Sequence, residues 1–411
     1  MASLIEWIYY FYIFLALYML SLFILLYIQG RRQMFDYPSG EPAHVSIVIP
    51  CYNEAKHIGS AIGGLLDLDW PENMLEIIVV DDKSTDNSVE EIKKYVSKYG
   101  NVRLIVNNKN SGGAAGPTNI GIRNAKYDFV AVADADSVPE REALKKMIGF
   151  LQEDKKVGGV TCSISVKTKN RFIEKLQTIE YSIIAFTRKL LDPVDGVYIM
   201  PGPFALYRKS VLVEVGGFDE KNMTQDIEMT WRILDSGYKV RMCLATRVNS
   251  VAPSKFKGWW RQRVRWNIGG IQTLLKYKNV FLRRGILGFF VIPLFTIGYL
   301  TGLLGFVVFS YLIFKKIFVY YLSTRFSLFL GTDVIVLNEF NLSGNVLAFF
   351  GISLLILGIA FTLLGLSVTK ERDLRRAGSL ILAFYFLVYL SIYPMLLIYS
   401  AYKFVRGNYK W

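Results

Sequence analysis

Residues 127–137 read YDFVAVADADS, an apolar run that ends on two aspartates, Asp134 and Asp136, with one alanine between them. A short run of β-branched and aromatic residues bounded by polar ones reads as a strand buried on both faces, as in a parallel sheet covered by helices. Side chains at the carboxyl end of such a strand stand at the edge where α/β folds bind nucleotides. Two carboxylates that close repel each other unless a cation lies between them, and hard oxygen ligands suit Mg²⁺ or Mn²⁺. Mg²⁺ is usually shared between one or two carboxylates and substrate phosphates, so a nucleotide diphosphate is the expected partner.

The same strand pattern recurs on either side, in VSIVIP (45–50), LEIIVVDD (75–82), VRLIVNN (102–108) and VGGVTCSISV (157–166). Helical sequence such as Ser88 to Tyr99 separates these runs, which predicts an α/β parallel sheet within a domain spanning 44–255. Asp81 and Asp82 end the second strand, and Ser84, Thr85 and Asp86 are placed to cap the helix that follows. The stretch VIPCYNEAKHI (48–58) precedes them by one α/β unit. Further on, NMTQDIEMTWRILDSGYKV (222–240) opens a helix with Asp226 and Glu228, after the glycine-containing IMPGPFALYRKSVLVEVGGF (199–218). Acidic residues at a helix start also simply complement the helix dipole.

With 52% hydrophobic residues the chain is too apolar for an ordinary soluble protein, yet its charges cluster in the first two thirds, so a soluble domain is joined to membrane segments. Residues 4–28 form an apolar run long enough to span a bilayer. Arg31 and Arg32 follow it and orient that end to the cytoplasm. Without a basic n-region or a small-residue cleavage site, 1–32 reads as an uncleaved anchor. Apolar runs at about 286–314, 344–368 and 379–402 make four membrane helices in all, the last three within 285–405. Lys315 and Lys316 sit where an outside loop should begin, the loop Lys370 to Arg376 reads as cytoplasmic, and 317–340 reads as interfacial or re-entrant. Gly298 with Gly302, and Gly351, Gly358 and Gly365, are expected to serve close helix packing rather than a conduit.

The net charge of +14 suits nucleic acid, an anionic membrane surface or a phosphate-bearing substrate. Basic residues crowd the membrane flanks and form no basic run with interleaved aromatics in the soluble domain, which argues against nucleic acid. Cys51, Cys162 and Cys243 are widely spaced and odd in number, excluding a disulfide framework or a CxxC zinc site and pointing to a reducing compartment. His44 and His57 are the only histidines, so a metal here is held by carboxylates.

GWWRQRVRWNIGG (258–270) carries three arginines and three tryptophans just before the membrane runs. On a helix over 256–280, Gln262, Arg265 and Trp266 share one face and Trp260, Val264, Ile268, Ile271 and Leu275 the other. That is an amphipathic helix suited to the membrane interface.

Together these four motifs resemble the membrane-integrated family 2 glycosyltransferases, a group with cellulose, hyaluronan, chitin and poly-N-acetylglucosamine synthases and ceramide glucosyltransferase. The resemblance covers about residues 44–275 and the membrane layout. It implies an α/β GT-A domain (the nucleotide-diphospho-sugar transferase fold) attached to an α-helical transmembrane bundle. It implies that Asp81 and Asp82 meet the nucleotide and that Asp134 and Asp136 hold Mg²⁺ or Mn²⁺ and the diphosphate, with Pro50, Tyr52, Glu54 and Asn119 also on the donor side. The family's TED sequence maps to Thr224, Gln225 and Asp226, which makes Asp226 the catalytic base, with Gln225 in place of the usual Glu. QxxRW maps to Gln262, Arg265 and Trp266: the first two face the donor, and Trp266, with Gly202 and Pro203, the acceptor. The segment NSGGAAGPTNIG (110–121) lacks the Lys often found at that point of the family.

The implied activity is inverting transfer of a sugar from a nucleotide sugar, UDP-linked by resemblance, to a growing polysaccharide at the cytosolic face of the cell membrane. A glycolipid synthase adding one sugar to a membrane lipid is the alternative, and a non-catalytic nucleotide-binding subunit a further one. Membrane lipids are expected partners and nucleic acid is not.

Overall fold

The computed structural model describes residues 4–331, 346–369 and 379–409. The chain opens with α1 (Leu4–Gly30), whose apolar side chains, Trp7 and Phe14 among them, stand exposed as expected of a helix in lipid. An α/β domain follows: β1 (Val45–Cys51), α2 (Ile58–Leu66), β2 (Leu75–Asp81), α3 (Ser88–Val96), β3 (Val102–Val106), α4 (Ala115–Asn124) and β4 (Phe129–Ala133). It continues through β5 (Val138–Pro139), α5 (Ala143–Glu153), β6 (Val157–Val166), α6 (Phe172–Leu191), β7 (Phe204–Arg208), α7 (Lys209–Glu214), α8 (Gln225–Asp235) and β8 (Lys239–Ser250).

The eight strands form one sheet in the order β3-β2-β1-β4-β7-β6-β8-β5. β1 to β4 are parallel, as the buried apolar runs of β1, β2 and β4 predict, with Cys51 beside Asp81 at the carboxyl edge. The expectation of an all-parallel sheet is corrected at β7, which runs antiparallel to both β4 and β6. β5 also pairs antiparallel with β8, so the sheet is mixed. The reversal at β7 turns the 199–203 segment back over the carboxyl end of β4, beside the aspartates.

The helix that carries the arginines and tryptophans is α9 (Phe256–Lys276). A π-helical turn (Leu287–Val291) leads into α10 (Ile292–Leu330), then come α11 (Val346–Val368), α12 (Ser379–Phe384), a second π turn (Tyr385–Tyr389) and α13 (Leu390–Val405). Among the described residues four helices are long and apolar enough to cross a membrane. α10 and its π turn run 44 residues without a break. At about 1.5 Å per residue this is roughly twice the thickness of the hydrocarbon core. Lys315 and Lys316 therefore lie within one helix that runs on through 317–330 without a re-entrant turn. The rest of that segment and the Lys370 to Arg376 loop lie outside the described residues.

α9 does not rest free on lipid. Trp259, Val264 and Ile268 are buried against Leu366, Tyr385, Tyr389 and Leu396, so the helix docks onto the last membrane helices, while Leu275 stays half exposed. The glycine expectation divides. A Cβ on Gly365 would press on Ile183 and Phe186, a close approach, but one on Gly298 or Gly302 would meet nothing within 4 Å. Those two glycines do not mark a tight helix crossing.

Candidate active site

The carboxyl ends of β1 and β2 are stitched together by their loops. Asn53 takes a left-handed conformation with φ 55°, its amide donates to Ser84 Oγ at 2.9 Å, and its side chain accepts from Thr85 N at 2.8 Å. Ala55 N donates to Asp86 Oδ2, and Glu54 N donates to Ser88 Oγ. Ser84 and Thr85 thus lock two loops instead of capping α3, whereas Asp86 accepts from Ser88 N at the helix start. Pro50 sits opposite Val80 at the end of β1, and Tyr52 is exposed above it.

Asp81 and Asp82 are both buried but differ in what they can accept. Asp82 accepts from Asn107 Nδ2, Ser111 N and Ser111 Oγ at 2.6–2.8 Å, so its carboxylate is consumed in shaping the 107–111 loop. Asp81 accepts from Ser84 N at 3.1 Å through Oδ2, while Oδ1 is buried without a partner. A buried carboxylate oxygen left unpaired is costly unless a ligand donor meets it.

Past the end of β4, Asp134 faces Asp136 and Asp226. Burial, then those two neighbours, push its carboxyl up to about 7 against the opposing pull of Arg265. Burial and Asp136 likewise raise Glu54 to about 7. Asp136 accepts from Ser137 Oγ at 2.8 Å. Such a concentration of carboxylates fits a divalent cation shared with a diphosphate. Among the described residues no group of three or more His, Cys, Asp or Glu is set to enclose a metal by itself.

Asp226 opens α8, where its Oδ1 accepts from Ile227 N at 2.9 Å and its carboxylate also from the Gly202 amide. Burial raises its pKa against these hydrogen bonds and Arg265. A Cβ on Gly202 would stand 3.1 Å from Asp134 Oδ1, so this backbone touches both carboxylates, and only a glycine lets it come so near. Pro203, adjoining it, is half-buried.

α9 brings up the remaining groups. A Cβ on Gly269 would overlap Thr224 Oγ1, which shows how tightly the helix presses on the Asp226 loop. Met223 N donates to Gln272 Oε1, and Asn222 Nδ2 donates to Thr273 Oγ1. Arg265 Nη1 donates to Met223 O at 3.4 Å, and its charge acts on Asp226 and Asp134. Gln262 accepts from Arg263 Nη1 at 2.7 Å. Glu228, the other acid of α8, is fully buried and paired with Arg232 and Lys276, so it holds α8 to α9 instead of facing the site.

Asn119, expected at the donor, spends its carboxamide elsewhere. It accepts from Phe218 N at 2.7 Å and donates to Phe218 O and Glu220 Oε1. This ties α4 to the loop that leads into Asp226.

The sequence reading missed Arg263. It is 1% exposed, donates to Glu180 Oε2 at 2.5 Å and to Tyr393 Oη at 3.1 Å, and lies 4.0 Å from the centroid of Trp266. Tyr389 and Tyr393 both donate to Glu180, and Trp259 Nε1 donates to Tyr389 Oη. The Trp259, Arg263 and Trp266 spacing along one helix stripe was a signal, but the partners lie in α6 and α13. Arg188 is a second buried cation behind the site, with Nη1 unpartnered and its charge felt by Asp226.

The sequence from 46 to 216 matches the Glycosyl transferase family 2 model. These residues are a family 2 glycosyltransferase domain. The chain is 33% identical over 233 residues to the poly-beta-1,6-N-acetyl-D-glucosamine synthases of Staphylococcus aureus and Staphylococcus epidermidis. That match spans 56% of this chain and 56% of each relative, little more than half their length. In three dimensions the chain is similar over 98% of its length, and 100% of the other's, to a mannosyltransferase from Pyrobaculum calidifontis solved with GDP-Man and Mn²⁺. The TM-score is 0.62 at 18% identity, a likeness of fold. The glycosyltransferase domain therefore has the GT-A fold, joined to helices suited to a membrane.

Proposed function

We propose that the protein is an inverting glycosyltransferase that moves a sugar from a nucleotide-diphosphate donor to an acceptor at the membrane. The observation that carries this is the meeting of Asp81, Asp134, Asp136, Asp226 and Arg265 at one edge of the sheet. The unpartnered Asp81 Oδ1 suits an N–H of the nucleotide base, which fits a uridine donor. Asp134 and Asp136 would hold Mg²⁺ or Mn²⁺, which supplies charge neutralisation to the departing diphosphate.

Asp226 accepts the proton of the acceptor hydroxyl as that oxygen attacks the anomeric carbon opposite the leaving diphosphate. A positioned base is worth about 10² to 10⁴ in rate. The two backbone amides on Asp226 fix its carboxylate, and burial lifts its proton affinity toward that of a working base. Arg265 opposes the charge that develops on the diphosphate. Trp266, held flat by Arg263, offers a face for an acceptor sugar.

The resemblance to poly-N-acetylglucosamine synthases favours a polysaccharide product, and the arginines after α1 favour a cytoplasmic catalytic side at the cell membrane. A second reading, one sugar added to a lipid, draws support from the apolar lining between the membrane helices. Product mass after incubation with labelled UDP-N-acetylglucosamine in lipid tests them. A ladder of long products supports polymer synthesis, a single addition on lipid supports the second reading, and no incorporation from any UDP-sugar removes both.

A further inference from the structure

The guanidinium of Arg263 is bonded in its own plane through all three nitrogens. Nε donates to Tyr393 Oη at 3.1 Å, Nη1 to Gln262 Oε1 at 2.7 Å and Nη2 to Glu180 Oε2 at 2.5 Å. Tyr393 Oη in turn donates to Glu180 Oε1, and Tyr389 Oη donates to Glu180 Oε2 at 2.7 Å. A guanidinium is a rigid planar fork, so with each nitrogen held it cannot turn, and only its faces remain to make contacts. One face lies 4.0 Å from the ring centroid of Trp266, well within reach of a cation-π contact.

Arg263 thus holds two members of the Gln262, Arg265 and Trp266 set at once, the first by a hydrogen bond and the last through its ring. Its own orientation is fixed from outside α9. Glu180 stands in α6, Tyr389 ends the second π turn and Tyr393 lies in the first turn of α13. The two tyrosines are four residues apart and so share one helix face. Single π turns within longer helices recur at functional sites, and this one falls where the tyrosines grip Glu180. Clamping the helices together would not require charge: desolvation offsets much of the attraction in a buried ion pair, and apolar side chains of like volume hold as well or better. What apolar side chains could not do is direct the Gln262 carboxamide or set a cation against the Trp266 ring.

We infer that Glu180, with Tyr389 and Tyr393, is a positioning residue for the transfer reaction, acting through Arg263 to set the Gln262 carboxamide and the Trp266 ring. The inference rests on the glycosyltransferase reading for the reaction, and on the hydrogen bonds alone for the positioning. It gives the last candidate membrane span a part in the site, since the hydroxyls that orient the Glu180 carboxylate come from it and its π turn.

The test combines fluorine NMR and steady-state kinetics on the full chain in lipid nanodiscs. The protein is labelled with 5-fluorotryptophan, and the Trp266 resonance is assigned by its loss in Trp266→Phe. Removing one charge of a buried pair is itself strongly destabilising, so the informative variants are Glu180→Gln with Arg263→Met, which removes both charges, and Tyr393→Phe, which removes one hydroxyl and keeps the ring. Both should melt near the native Tm. In both the Trp266 resonance should move, while that of Trp231, buried in α8, stays in place. Acceptor kcat/KM should fall about tenfold or more in the double variant, through loss of the cation-π contact. In Tyr393→Phe it should fall about threefold, through loss of one hydrogen bond. Adding Glu180→Gln to Arg263→Met should cost no further turnover, because a residue that acts through Arg263 has nothing left to act on. A native Trp266 resonance with native kcat/KM in either variant overturns the inference and leaves the pair a purely structural contact. A further loss from Glu180→Gln in the Arg263→Met background overturns it too. If the Trp266 resonance moves as expected yet the native protein releases no nucleotide from any donor, the glycosyltransferase reading fails while the positioning of the ring stands.

Discussion

The guanidinium carbon of Arg263 lies 4.0 Å from the ring centroid of Trp266, one helical turn further on. The same guanidinium is anchored to Glu180 of α6, which also accepts from two tyrosines of the last membrane helix region. The α/β domain, α9 and the last candidate membrane helix thus meet on one buried ion pair. A cation over an indole in a desolvated setting contributes about 2 kcal/mol. Arg263→Lys keeps the charge but loses the planar fork. It should raise the acceptor KM by about tenfold, equivalent to about 1.4 kcal/mol, with donor affinity unchanged; steady-state kinetics with each substrate varied in turn checks this. Arg263→Ala leaves Glu180 buried without its cation and should cost about 3–5 kcal/mol, read as a fall in Tm.

Gly269 is the point where α9 bears on the Asp226 loop, and a methyl there would overlap Thr224. Gly269→Ala should lower stability by about 1–3 kcal/mol. Turnover should fall more than stability explains, because the loop that aims Asp226 is displaced. Denaturant unfolding beside kcat measurements separates the two losses; native kcat in Gly269→Ala would show that the contact does not aim the base.

The three cysteines are buried. Burial, with Asp81 nearby, pushes the Cys51 thiol up to about 12, and burial raises Cys243 to about 11. Thiolate is the reactive form, so iodoacetamide at neutral pH should leave all three unmodified in the folded protein and alkylate them in denaturant. Mass spectrometry counts the adducts.

Asp136→Asn removes half of the carboxylate pair and with it part of the repulsion that lifts Asp134. Metal-dependent UDP binding should weaken, and chelation of divalent ions should weaken it in the native protein while changing little further in the variant. Calorimetric titration with and without EDTA distinguishes this from a general loss of structure.

Much of the domain was legible because β1, β2, β4 and β6 are continuous buried apolar runs, which only a covered sheet accommodates. β7 was not, since Phe204–Arg208 is short and framed by Gly-Pro and basic residues. Its antiparallel placement depends on partners more than 40 residues away in β6 and over 70 in β4. The aspartates were legible because a strand end is a local feature that also sets position in the fold. Their differing duties were not: Asp82 is spent by Asn107 and Ser111, a fact of loop geometry. The Arg263 anchor depends on Glu180 and Tyr393, 83 and 130 residues away in sequence. Helical spacing marked the stripe but not its partners, the residues of the last membrane helices against which Trp259, Val264 and Ile268 pack.

The central claim is that Asp226 is the base of a metal-assisted sugar transfer. The direct measurement is nucleotide release by the purified protein in lipid with a panel of UDP-sugars and Mg²⁺ or Mn²⁺, beside Asp226→Asn. The account predicts metal-dependent release by the native protein and a loss of at least about 10²-fold in the variant, with UDP binding retained. Equal release by Asp226→Asn would contradict it.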